Sequence, residues 1–150
     1  MTKTVEIFAN NLSEEKVITF KEGILGLEDF KQYVLLSPEK DLPFKYLQYT
    51  ESEAVALIVI NPFLYMPAYS FDIDDETILA LDAKEPADIL VLAVVVIPDD
   101  YTKMTANFTA PIIINTSNML GKQMVLQDAK YQIRTPIFEV YQELISRGAE

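Results

Sequence analysis

The chain has no cysteine and no histidine. The first absence excludes disulfides, thiolate metal sites and cysteine nucleophiles. The second removes the usual general base at neutral pH, the commonest transition-metal ligand and the Ser-His-Asp arrangement. Bond-making chemistry would have to rest on carboxylates, Lys or Tyr with strongly displaced pKa values, or on a hard cation held by oxygen ligands. Long apolar runs are missing too. The longest, Ile89 to Ile97, is about half the length of a membrane helix and reads as a buried central strand. Met1 to Glu6 lack the basic-then-apolar pattern of a secretory signal, so a cytoplasmic location is expected, and the Asn-X-Ser/Thr triplets at Asn11, Asn107 and Asn115 carry no weight. Repeats and low-complexity tracts are absent and the eight prolines are scattered, which predicts one domain over residues 1–150.

What is present is ordinary for a globular chain of 150 residues: 50% apolar and 23% charged. The net charge of -11 disfavours direct contact with nucleic acid, whose phosphates such a surface repels. The excess is concentrated in residues 71–110, where 9 acidic residues face 2 basic ones. That segment either steers a basic partner or serves solubility.

Short segments rich in Val, Ile, Tyr and Phe, punctuated by Pro, Gly, Asp and Asn, predict an all-β fold. It is mainly antiparallel, a small β-barrel-like or sandwich arrangement, with a short C-terminal helix. Val5–Phe8 and Lys16–Phe20 read as an opening hairpin, Gly23–Gly26 as a turn, and Tyr33–Leu36 as a strand ending at Ser37-Pro38. Tyr46–Tyr49 and Ala54–Ile60 flank Glu51-Ser52-Glu53 as a second hairpin, stopped by Pro62. Residues 63–71 read as an aromatic loop packed against the core. At the C-terminus Thr135 is placed as helix cap and Pro136 at the first helical position, with Ile137, Tyr141 and Leu144 on one face and Gly148 after the end.

Candidate sites divide into weak chemistry and plausible contact. Gly121-Lys122 lacks the preceding Gly and following Ser or Thr of a phosphate loop: Thr116 and Gln123 stand there. Asn118–Lys122 reads instead as a hairpin turn between Ile112–Ile114 and Gln123–Leu126, with Asn107 and Asn115 bonding local backbone and Pro111 fixing an edge. Asp72, Asp74 and Glu76 would share a face if their segment were a strand, but Thr77 and Ala83 occupy the Gly and Glu positions of a calcium loop. An acidic rim is the better reading, and no metal or cofactor is expected. The adjacent pairs Glu14-Glu15, Glu28-Asp29 and Asp99-Asp100 have no evident cause for the raised pKa that acid-base work needs. Phe63, Tyr65, Met66, Tyr69 and Phe71 are either core or a recognition patch.

Several blocks carry a family resemblance: Phe20-Lys21-Glu22-Gly23-Ile24-Leu25-Gly26; Pro43–Gln48 with Leu57–Pro62; Thr105–Asn115, which contains Asn-Phe-Thr-Ala-Pro-Ile-Ile-Ile-Asn; then Gly121-Lys122-Gln123 and Tyr131–Arg134. Over about residues 5–138 the sequence resembles the flagellar assembly factor FliW family. It departs from the family pattern at Leu25, Leu27 and Phe108, all apolar exchanges. The resemblance implies a non-enzymatic regulator that binds flagellin and the RNA-binding translational repressor CsrA; a monomer is expected when it is free. Holding CsrA lifts its repression of flagellin messenger RNA; accumulated flagellin occupies the factor and frees CsrA. The residues proposed for contact are Asp72, Asp74, Asp75 and Glu76, then Asp99, Asp100 and Tyr101, with Tyr65, Met66 and Tyr69 for an apolar helix of flagellin. The alternative from another class is a carboxylate-dependent hydrolase or carbohydrate-acting enzyme on a β scaffold; a third is a structural subunit that pairs with its own copies.

Overall fold

A computed structural model of the chain describes residues 16–38 and 42–148. In chain order the elements are β1 (Ile18–Thr19), β2 (Gln32–Leu36), β3 (Lys45–Tyr49), β4 (Ala56–Ile60), α1 (Pro62–Tyr65), α2 (Asp75–Leu81), β5 (Ile89–Val96), β6 (Thr105–Ala106), β7 (Ile112–Asn115), β8 (Leu120–Gln123), β9 (Thr135–Pro136) and α3 (Phe138–Ser146). Two 3-10 turns, Pro86–Asp88 and Tyr101–Lys103, lead into β5 and β6.

Seven strands close a barrel in the order β4-β3-β2-β1-β8-β7-β5, completed by the pairing of β5 with β4. Every neighbouring pair is antiparallel except β1 with β8, which run parallel and meet at Thr19 and Leu120. Closure removes the exposed edges that an open sheet would present. Beyond β7, the far end of β5 pairs with β6, and β6 with β9.

Strand β5 explains its own unbroken apolar sequence. Leu90, Leu92 and Val94 point into the barrel with Ile18, Phe20, Tyr33, Leu47 and Val59. Ile89 and Val91 point outward beneath α2, and Ala93 and Val95 outward into a second cluster with Tyr65, Tyr69, Phe108 and Leu144. Both faces are covered, so alternation with polar residues is lost. The turn after β1 depends on Gly23, whose φ is +73° and whose Cβ, if present, would fall 2.5 Å from Cα of Glu28.

Four local expectations need correction. Thr135 and Pro136 form β9 against β6, and α3 starts at Phe138 without a side-chain cap. The β7–β8 turn spans residues 116–119, so Gly121 and Lys122 belong to a strand. Pro111 is buried beside β7, a strand paired on both sides, and fixes no edge. Residues 72–76 do not alternate as a strand, because Asp74 caps α2 with Oδ1 accepting from Thr77 N–H at 2.8 Å. Val5–Phe8 and Glu14-Glu15 lie outside the described residues.

Candidate partner-binding site

The outer face of β4 and β5 is only partly roofed. Ile58, Ile60 and Val95 form a floor with Met104, and above it lies a groove of about 270 Å³. Its walls are aromatic. Tyr101 stands 5.7 Å from Phe138, and Phe44 6.4 Å from Tyr141, measured between ring centroids. Tyr65 closes the bottom, its hydroxyl donating to the carbonyl of Pro43 at 2.8 Å. Burial raises the Tyr65 pKa, with Tyr141 adding to it, so the phenol stays a neutral donor.

The groove is open to solvent on apolar ground: Tyr101 is 61% exposed and Ile97 43%. Tyr101 sits on a 3-10 turn whose start is held by Asp100, with Oδ1 accepting from Thr102 N–H at 3.1 Å. Asp99 and Asp100 are exposed beside it. None of the groove's lining residues is acidic. The pKa of each of two carboxylates, Glu28 and Asp74, is lowered. Among the described residues no group of three or more His, Cys, Asp or Glu is placed to hold a metal ion.

The residues selected from sequence separate into three places. Tyr65 and Tyr101 meet at the groove, with Asp99 and Asp100 at its rim. Met66 ends α1, half-buried against the same cluster. Tyr69 is a core residue: 3% exposed, with its hydroxyl bonded to Phe108 O and its ring against Phe63, Phe71, Phe108 and Tyr131. It offers no surface to a partner. Asp72, Asp75 and Glu76 are exposed around the start of α2, apart from the groove's lining. There Lys122 lies 3.5 Å from Glu76 and 3.6 Å from Glu22.

Sequence reasoning missed Phe44, Ile97, Phe138 and Tyr141 as groove residues. The spacing of Phe138 and Tyr141, three apart on a helix that must also bury Ile137 and Leu144, was the available signal.

The FliW protein family matches residues 2–137. The chain belongs to the FliW family. A flagellar assembly factor FliW of Thermoanaerobacter pseudethanolicus is 44% identical over 126 residues, 83% of this chain and 84% of that protein. The FliW of Bacillus subtilis is 41% identical over 127 residues, covering 85% and 89%. A crystal structure of a flagellar assembly factor FliW superposes with a TM-score of 0.75 at 35% identity, over 81% of this chain and 85% of that one. The family resemblance and the β-barrel with its short C-terminal helix are thereby established together. Among the described residues no helix is long and apolar enough to cross a membrane.

Proposed function

We propose that this chain is a cytoplasmic flagellar assembly factor that acts by occupancy, without covalent chemistry. It binds flagellin through the aromatic groove, and binds the repressor CsrA through its acidic surface around α2, relieving repression of flagellin messenger RNA. The observation that carries the reading is the groove itself, in a chain of the FliW family: an uncharged aromatic trough open to solvent suits the apolar face of a partner helix. The acidic stretch from Asp72 to Asp100 supports the second contact, since a basic RNA-binding protein is attracted to it and RNA is repelled.

The hydrolase alternative would need two carboxylates facing one pocket with one pKa raised. No carboxylate lines the groove, and the pKa values of Glu28 and Asp74 move downward.

The test is capture from cytoplasm with tagged protein, repeated with excess flagellin. The expected result is recovery of CsrA that flagellin displaces, and loss of flagellin binding in Tyr101→Asp with an unchanged melting curve. Retained flagellin binding in that variant would sink the groove assignment; failure of the unaltered protein to capture either partner would sink the function.

A further inference from the structure

One polar group at the aromatic groove is already engaged by the protein itself. Tyr65 is 6% exposed, and its hydroxyl donates to Pro43 O at 2.8 Å across 22 residues of chain. Strand pairing brings the two together: Lys45, where β3 begins, lies opposite Val59, one residue before β4 ends. Tyr65 follows that end on α1, whose start is fixed by Asn61 Oδ1 accepting from Phe63 N–H at 3.0 Å. The short helix thus returns a phenol to the start of the neighbouring strand.

Phe44 stands between two fixed points. After it, Lys45 enters the ladder with β4. Before it, Pro43 has no N–H, so its backbone can be tied only through its carbonyl, which Tyr65 holds. The Phe44 ring between them is a wall of the groove, edge-on to Tyr46 at 5.7 Å and 6.4 Å from Tyr141. Across the groove Tyr101 is 61% exposed. One wall is held and the other is open.

Apolar packing gives no reason for the hydroxyl. A phenylalanine would supply the same ring at the bottom of the groove without a polar group that needs a buried acceptor. What the oxygen adds is the bond to Pro43, and through it a place for Phe44.

We propose that Tyr65 is the positioning residue of the groove: by holding Pro43, its hydroxyl sets Phe44 against Tyr141 before a partner arrives. The inference rests on the reading that an apolar helix of flagellin occupies the groove. Ordering one side chain on binding weakens affinity by about three- to tenfold, and a wall held in advance avoids that loss.

Flagellin titrations test this with Tyr65→Phe, Tyr69→Phe, Phe44→Ala and the double variant of Tyr65→Phe with Phe44→Ala. Tyr69→Phe is the matched control: it strands another buried carbonyl, that of Phe108, also bonded at 2.8 Å, but lies outside the groove's lining. Tyr65→Phe is expected to weaken flagellin about three- to tenfold and Tyr69→Phe to leave it unchanged. Once Phe44 is replaced by Ala, Tyr65→Phe is expected to add no further loss, since the hydroxyl acts through that ring. Full affinity in Tyr65→Phe, equal weakening in the two tyrosine variants, or additive losses in the double variant would each overturn the proposal. Amide exchange of the free protein needs no partner. Residues 44–46 are expected to exchange faster in Tyr65→Phe and at the parent rate in Tyr69→Phe; an unchanged rate in Tyr65→Phe would also overturn it. Failure of the unaltered chain to bind flagellin would instead sink the groove assignment, and the two failures are distinguishable because exchange reads the hold on Phe44 without flagellin.

Discussion

The ring of Phe20 occupies the space that a side chain at position 121 would need: a Cβ on Gly121 would fall 2.5 Å from Cε2 of Phe20 and 2.6 Å from its Cζ. Phe20 is fully buried and cannot swing outward. Gly121 is therefore required by packing where β8 meets β1, and the Gly-Lys pair that superficially resembles a phosphate loop has a steric cause. Gly121→Ala is expected to cost about 1–3 kcal/mol, as overpacking of a filled core does. Urea unfolding checks it, and a variant as stable as the parent would mean that the ring has room to move.

Two buried tyrosines should respond oppositely to loss of their hydroxyls. Tyr69 donates to Phe108 O at 2.8 Å, so Tyr69→Phe strands a buried acceptor and should cost about 1–3 kcal/mol. Tyr33 is fully buried, and its hydroxyl has no hydrogen-bond partner among the described residues; burial, with Tyr49 beside it, pushes its pKa up to about 12. Tyr33→Phe removes an unsatisfied group and should be neutral or stabilising. Paired thermal melts of the two variants decide the matter.

The same phenols set an alkaline limit. Tyr33, Tyr65 and Tyr69 all have pKa values raised in the folded state above the ordinary 10.0, first by burial. The stability they contribute is whole below pH 10 and is lost as pH climbs through the folded values, because the unfolded chain ionises first. Unfolding midpoints should hold steady from pH 7 to about 9.5 and fall beyond it. The share of tyrosinate absorbance that belongs to these three buried phenols should appear together with loss of structure, not before.

At the other end of the scale, Asp74 caps α2. The hydroxyl and N–H of Thr77 beside it hold its carboxyl below the usual range, with Lys122 adding a smaller pull. A depressed carboxylate stabilises above its unfolded pKa, 3.8, and the contribution drains away as pH falls through the folded value. Asp74→Ala should cost about 1 kcal/mol at neutral pH and less at acid pH, where the carboxyl is protonated. Circular dichroism melts at both pH values read this directly.

If the acidic segment steers a cationic partner, association with CsrA should slow as salt rises while dissociation changes little. Stopped-flow rates from low to high ionic strength measure it; a flat association rate would assign those carboxylates to solubility alone.

The parts of the fold that could be read in sequence are those whose cause is local. Strands β2 to β5 were legible because apolar runs end at Ser37-Pro38, at Glu51-Ser52-Glu53 and at Pro62, each a break in the chain's own chemistry. Strand β9 was not, since Thr135-Pro136 has the local pattern of a helix start and becomes strand only through β6, about 30 residues upstream. The aromatic groove was half legible for the same reason. Tyr65 and Tyr101 stand out as large aromatics near turns. That they face each other depends on how α3 packs over β4 and β5, which no spacing along the chain encodes.

The parallel contact between Thr19 and Leu120 joins the first described strand to the eighth, and of the barrel's pairs it is the one whose strands lie farthest apart along the chain. A chain still emerging from the ribosome cannot make that contact until Leu120, about 100 residues after Thr19, has emerged. Until then the ring lacks its β1–β8 pair. A competent barrel, with whatever it captures, is available only after β8 has been made.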